Sequence, residues 1–320
     1  MCTAIAQFGK KFLFGRNLDL EYGFNERVTR VPRRVPLRFF AEQPIEEHYA
    51  MIGMASQEND FPLFADGMNE RGLCAAGLNF PESAVYAGGM LAGAYNVAPH
   101  ELIAWLLAKC ASVDEAEQLL RNTRIVAVPY KEYPVAPLHW AIADRKRCII
   151  AEPRAEGLRI FDNPTGVLTN EPPFEFHAHN LRNYLNLTAR FPQERFASLG
   201  LRSCSVGAGA FGLPGDCTSA SRFVRAAYYV QNSAAESSDF GDVSQFFHIL
   251  SSVEMPRGGV FTAGDAPDYT RYSCCMDTER GAYFFRTYGN ARLRACSLRT
   301  DGESPEQIEI GGGEDVLFLD

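Results

Sequence analysis

Cys2-Thr3-Ala4-Ile5-Ala6-Gln7 and Phe12-Leu13-Phe14-Gly15 are two short strand-like runs separated by Gly9-Lys10-Lys11, which suits a turn. Together they read as a hairpin that opens the chain, with only Phe8 to Lys11 between its arms. The second arm runs on as Phe14-Gly15-Arg16-Asn17-Leu18-Asp19, so an antiparallel pairing brings Arg16 and Asp19 across from Cys2.

Beyond the hairpin, residues 28–40 and 50–56 read as extended segments. Asp66-Gly67-Met68-Asn69-Glu70-Arg71-Gly72 reads as a polar turn before the apolar strand Leu73 to Leu78. Pro99 suits a first helical turn, and Leu102, Ile103, Leu106 and Leu107 form the apolar stripe of a helix over His100 to Ala111. Ser112 and Glu115 have the capping-box spacing that opens a second helix, ending near Leu120. Strands are expected at Leu138 to Ala143, Cys148 to Glu152, Leu158 to Phe161 and Gly166 to Leu168. Helices are expected over Phe176 to Leu187, Ser219 to Tyr229 and Val243 to Val253, then strands at 271–278, 282–288, 291–297 and 306–310. Hairpins with two helical clusters between them predict an α+β fold of largely antiparallel sheet with helices packed on it, not a doubly wound one. No repeat or low-complexity linker divides the chain, so residues 1–320 are expected to form one domain, with a Gly/Ser-rich surface excursion at about 190–212.

Apolar residues make up 46% of the chain and charged residues 22%, the balance of a soluble globular protein and not of a disordered one. A net charge of −8 argues against nucleic acid as a general partner. The densest basic stretch, Arg27 to Arg38, reads as a solvated strand edge. No run approaches the roughly 18 apolar residues of a membrane span, and Met1 to Gly15 lacks a secretory h-region, so a cytoplasmic protein is expected. The nine cysteines are odd in number and irregular in spacing, which is no disulfide framework. There is no CxxC and no HExxH, and His177 and His179, two apart on a helix, face different ways, so no metal site is expected. Adjacent Cys274 and Cys275 read as core packing.

Cys2 is where chemistry starts. If Met1 is removed, a thiol and a free α-amine share one residue, and their ordinary pKa values, about 8.5 and about 7.7–8.0, lie close enough for proton transfer. This is a self-contained nucleophile and base. Taken singly, each surrounding residue also has a structural reading. Cys2 is then a buried strand residue, Arg16 and Asp19 a local ion pair, Asn79 a turn cap before Pro81, Asn170 a turn residue before Glu171-Pro172, and Arg222 a surface ion-pair partner.

Met1-Cys2-Thr3, Phe14-Gly15-Arg16-Asn17-Leu18-Asp19, Gly77-Leu78-Asn79-Phe80-Pro81, Leu168-Thr169-Asn170-Glu171-Pro172 and Gly212-Leu213-Pro214-Gly215-Asp216 with Ser221-Arg222-Phe223 occur in one order. Together, from residue 1 to about 300, they resemble the choloylglycine hydrolase family, the bile salt hydrolases and penicillin V acylases among the N-terminal nucleophile (Ntn) hydrolases. The resemblance implies an αββα sandwich of two mainly antiparallel sheets between helical layers. It also implies cleavage of a linear amide without metal or organic cofactor, and a homotetramer with the 190–212 excursion at subunit contacts.

By the same resemblance Cys2 is the nucleophile and its α-amine the base; Arg16 steadies the thiolate and Asp19 holds the amine. The Asn79 backbone N–H and the Asn170 side-chain amide form the oxyanion hole, and Arg222 completes the polar network. Leu18, Ala65 and Tyr133 match the family's substrate wall, with Phe24 and Phe61 on adjacent loops. Asn79 is the residue bile salt hydrolases typically carry where penicillin V acylases often carry Tyr. The expected substrate is therefore a conjugated bile acid, cleaved at its glycine or taurine amide. Penicillin V or another N-acyl amide, such as an acyl-homoserine lactone, is the alternative. Tyr133, bulkier than the expected aliphatic residue, and Cys217 after Asp216 depart from the pattern.

Overall fold

The opening hairpin forms: β1 (Cys2–Gln7) pairs antiparallel with β2 (Leu13–Leu20), Cys2 opposite Leu18 and Ala4 opposite Arg16. This is seen in a computed structural model that describes residues 1–320 apart from 59–60, 197, 235–237, 312, 314–318 and 320. β12 (Val167–Leu168) lies beyond β1, while β13 (Tyr269–Asp277), β14 (Ala282–Thr287) and β15 (Asn290–Ser297) follow β2, completing a six-stranded sheet. A second, eight-stranded sheet has the order β11 (Gly157–Asp162), β10 (Cys148–Arg154), β9 (Leu138–Ala143), β6 (Cys74–Asn79), β5 (Phe61–Asn69), β4 (Met51–Glu58), β3 (Arg27–Val31) and β16 (Glu306–Glu309). Neighbouring strands in both sheets are antiparallel. Two three-residue strands, β7 (Tyr95–Val97) and β8 (Thr123–Ile125), pair in parallel apart from them.

The sheets face each other, β1 and β2 touching β6, and each carries helices on its outer face. α1 (Leu102–Lys109) and α2 (Val113–Arg121) cover the eight-stranded sheet; α4 (Ser219–Gln231) and α5 (Gly241–Ser251) cover the six-stranded one, and α3 (Phe174–Asn180) packs against α4. This is the αββα sandwich. Strand alternation sorts the residues. In β9, Trp140 and Ile142 join α1 in the outer core, while Ala141 and Ala143 face the other sheet. Every residue of α1 from Leu102 to Ala108 is buried, and full burial of each large apolar side chain contributes about 1.5–3 kcal/mol.

Local chemistry sets the boundaries. Ser112 caps α2, its hydroxyl accepting from the Glu115 N–H at 3.3 Å, but the Glu115 carboxylate accepts from Ala111 N–H, one residue earlier than a capping box requires. Thr218 caps α4 in the same way through the Ser221 N–H. Gly15 has a different reason: a Cβ there would meet the Cys274 carbonyl oxygen at 1.9 Å, so only glycine lets β2 and β13 pair at this point.

Several expectations change. The Asp66-to-Gly72 segment is not all turn: Asp66 to Asn69 belong to β5, and only Glu70 to Gly72 turn. β3 stops at Val31, before Pro32, so 28–40 is not one extended segment. Nor is the Arg27–Arg38 stretch a bare edge. β16 pairs outside β3, with Glu309 and Glu306 each 2.7 Å from Arg27 and Arg30. The helix expected over Phe176 to Leu187 begins at Phe174, right after Pro173, and tightens to a 3-10 turn over Leu181–Tyr184.

Candidate active site

Cys2 and Arg16 meet in the space between the sheets. The Thr3 hydroxyl reaches Arg222 of α4, so Thr3 faces the helices and Cys2 the opposite way. Arg16, opposite Ala4, shares Cys2's face one diagonal step away. Its guanidinium is fully buried, with Nη1 donating to the Ala65 carbonyl at 3.0 Å and the Gly77 carbonyl at 2.6 Å. Those carbonyls are free because β5 and β6 part beyond the Asp66–Ala76 pair. A β-bulge contributes: Met54 faces Asp66 but Ala55 faces Phe64, leaving Ala65 as the extra residue. Nη2 of Arg16 is buried with no partner among the described residues. Burial opposes the Arg16 charge, but Cys2, Tyr272, Asp66 and Cys274 around it outweigh this and raise its pKa.

Asn170 extends the line of β12 alongside β1. Because Leu168 faces Ala4, Asn170 falls opposite Cys2, and its Oδ1 accepts from Cys2 N–H at 2.8 Å. Arg222, on the buried face of α4, donates to the same Oδ1 at 2.8 Å, to the Thr3 hydroxyl at 2.6 Å and to the Cys2 carbonyl. With both donors on Oδ1, the Asn170 Nδ2 turns to the Asn79 carbonyl at 2.8 Å. Phe80 N–H bonds Pro137 across β6 and β9, so by antiparallel alternation the Asn79 N–H and C=O both turn away from β9, to the side where Asn170 stands. Burial lowers the Arg222 pKa against the pull of Asp19, Cys2 and Asp268.

Asp19 and the chain's α-ammonium are arranged differently from expectation. The Met1 ammonium donates to the Asp19 backbone carbonyl at 2.7 Å and pairs with the Asp268 carboxylate at 2.8 Å. The Asp19 carboxylate instead accepts from the Thr270 hydroxyl at 2.6 Å, and its Oδ2 is buried without a partner among the described residues. Burial raises the Asp19 pKa, opposed by Arg222, the Met1 ammonium and Thr270.

Three further groups were not apparent from the residues alone. Asp66 projects inward from β5 and accepts from the Tyr272 hydroxyl at 2.5 Å, the Tyr283 hydroxyl at 2.7 Å and the Cys274 thiol at 3.5 Å. Its partners come from the opposite sheet, so Cys274 is more than packing. Burial raises the Asp66 pKa; Arg16 and its three donors oppose the shift. Asp268 and Thr270, at the start of β13, are the second and third; no local spacing ties them to a strand some 250 residues earlier.

Of the substrate-wall residues, Leu18 and Ala65 stand beside the Cys2–Arg16 pair, and half-buried Phe24 packs on the same core. Phe61 lies elsewhere, in the outer core, edge-on to Phe39 at 5.6 Å. Tyr133 is 53% exposed in a loop where its N–H bonds the Tyr130 carbonyl. The structure therefore brings together Cys2, Arg16, Asp19, Asn79, Asn170 and Arg222, but not the whole wall.

Comparison with known proteins agrees with this geometry. Residues 2–305 match the family model described as linear amide C–N hydrolases, choloylglycine hydrolase family. A bile salt hydrolase/transferase of Lactiplantibacillus plantarum is 44% identical over 300 residues, covering 93% of this chain and 92% of the relative. The structure of a mutant conjugated bile acid hydrolase from Clostridium perfringens superposes with a TM-score of 0.92 at 36% identity, over 100% of both chains. A penicillin V acylase from Agrobacterium tumefaciens shares the fold at a TM-score of 0.76 and 20% identity, over 97% of this chain and 92% of that one. With its amino-terminal cysteine set between two antiparallel sheets, this chain belongs to the choloylglycine hydrolase family of linear amide C–N hydrolases.

Proposed function

We propose that this protein hydrolyses conjugated bile acids at the amide joining the steroid acid to glycine or taurine, using Cys2 as nucleophile once Met1 is removed. The observation that carries the mechanism is the enclosure of Cys2 by Arg16 on one side and the Asn170–Arg222 pair on the other. A fixed cation beside a thiol favours the thiolate. The thiol passes its proton to the α-amine, and the thiolate attacks the amide carbonyl carbon. The C=O π pair moves onto the oxygen, which the Asn79 N–H and Asn170 Nδ2 receive, and the pair returns as the C–N bond breaks. Loss of Met1 makes the Cys2 nitrogen the α-amine, held by Asn170 Oδ1, with Asp19, whose N–H bonds the Met1 carbonyl at 2.9 Å, as its second partner. As the C–N bond breaks, this amine delivers the proton to the leaving nitrogen. It then takes a proton from the water that opens the thioester, releasing bile acid and free Cys2.

The assignment to bile salts rests on Asn79 and on the relatives' substrates. Bile salts are amphipathic and suit an apolar wall such as Leu18, Ala65 and Phe24 offer. A cytoplasmic protein fits nine free thiols. A homotetramer fits the excursion, whose Phe191, Phe196, Leu199, Leu201, Val206 and Phe211 are exposed while Thr188 N–H and the Gly209 carbonyl tie its ends at 2.9 Å. The test is hydrolysis of glycocholate, taurocholate and penicillin V by one preparation, with intact mass reporting Met1. Bile salt turnover well above penicillin V turnover is expected. The reverse order would make the protein a penicillin V acylase. Inactivity on all three with Met1 gone would point to another N-acyl amide.

A further inference from the structure

Beside the Cys2 cluster lies a second set of buried polar groups. β9 places His139 and β10 places Glu152 on their inner faces, in line with Ala141, Ala143, Cys148 and Ile150, and both side chains are fully buried. His139 Nε2 lies 2.9 Å from the Thr169 carbonyl and Nδ1 3.2 Å from Glu152 Oε1. The same Oε1 accepts the Phe174 N–H at 3.0 Å, and Oε2 accepts from Arg154 at 3.2 Å. The Phe80 ring stacks flat on His139, centroids 4.3 Å apart. Thr169 directly precedes Asn170, and Phe174 starts α3, so the pair grips both ends of the turn that presents Asn170.

The turn is also tied elsewhere. Ser219 Oγ accepts the Asn170 N–H at 2.8 Å, His177 Nε2 lies 3.0 Å from the Asn170 carbonyl, and Glu171 Oε1 accepts the Ser83 N–H at 2.8 Å. The Thr169 carbonyl can only accept, so Nε2 carries a hydrogen toward it, and one further hydrogen lies between Nδ1 and Glu152 Oε1. Arg154 from β10 and His177 from α3 face the pair.

We propose that the His139–Glu152 pair is a positioning device, holding Asn170 where its side-chain amide meets the oxyanion of the amide substrate. This rests on the oxyanion role given to Asn170 above. A small misplacement of a catalytic group costs on the order of 100-fold in rate. Glu152→Gln and His139→Gln should therefore lower kcat by about 100-fold with KM within about threefold. Alkylation of Cys2 by iodoacetamide builds no oxyanion and should stay within about threefold of wild type. Unchanged kcat in a folded variant, a loss carried by KM, or alkylation falling in step with kcat would overturn the proposal. Should neither variant fold, or should the wild type cleave no amide tested, 15N NMR of the wild type decides. The Nε2 of the histidine in contact with Phe80 must then carry a hydrogen protected from exchange, as its bond to the Thr169 carbonyl requires; an Nε2 without one overturns the device without bearing on the hydrolase reading.

Discussion

The two faces of the eight-stranded sheet are equally buried and differently furnished. Its outer face, under α1 and α2, is packed with Trp105, Trp140, Leu102, Leu106, Ile142 and their neighbours. Its inner face carries Asp66, His139 and Glu152 among alanines and cysteines, opposite Arg16 on the other sheet. Burying ionisable groups is costly unless each is partnered, and here nearly every one is. Apolar packing supplies stability on one side, while the polar inner face holds reactive groups in fixed positions. Substitutions on the two faces should consequently separate rate from stability.

The largest expected effect is on the six-stranded sheet, across from that inner face. Cys2→Ala should lower amide turnover by more than about 1,000-fold, the order seen when a hydrolase loses its nucleophile, with the melting temperature scarcely moved. Asn170→Ala should cost about 100- to 1,000-fold in kcat, as for other oxyanion donors. Turnover persisting in either variant would dissolve the contrast. On the outer face, Leu106→Ala should remove about 2–5 kcal/mol in denaturant unfolding while kcat per folded molecule stays near wild type. A kcat loss there would mean that the two faces are coupled.

A smaller effect concerns pH. Burial raises the Asp66 pKa above the ordinary 3.8, so its protonated form stabilises the fold at low pH. That contribution is complete below the unfolded value and is lost as pH rises through the folded one. Asp66→Asn, which cannot ionise, should therefore gain on wild type in melting temperature as pH climbs from about 4 toward neutrality. A gap that is constant with pH would show that Asp66 does not titrate in this range. The smallest change is Thr218→Ala at the α4 cap, about 1 kcal/mol by thermal unfolding, with Arg222 and activity retained.

The opening hairpin, α2 and α4 were legible because their signals are local: a turn between strand-like runs, a serine cap, and the turn Gly212 to Asp216 ahead of the helix that carries Arg222. The six residues brought together near Cys2 were recognisable as a constellation of motifs, and their family pattern located Asn79 and Asn170 where single-residue readings favoured turns. Asp66 was hidden because Asp-Gly followed by Asn mimics a turn, although a bulge and a tight inter-sheet contact are what require it. β7 and β8 are too short and too far apart to leave a pattern. Asp268 replaces the Asp19 carboxylate at the Met1 ammonium because β13 arrives beside β2 with its own bulge, at Arg271. His139 stands in no motif of the sequence; only the fold brings Glu152 and the Thr169 carbonyl to its ring.

The extra residue at Ala65 makes chain length itself a determinant of reactivity. In an unbroken strand Phe64 and Asp66 would share a face; the bulge sends Phe64 to the outer core and Asp66 to the inner one. Deleting Ala65 would make the ladder regular and leave Phe64 outside and Asp66 inside, yet remove the carbonyl that receives Arg16. Among one-residue deletions through β5, loss of Ala65 should keep the fold best while still depressing Cys2 alkylation, a combination that a length-insensitive strand would not produce.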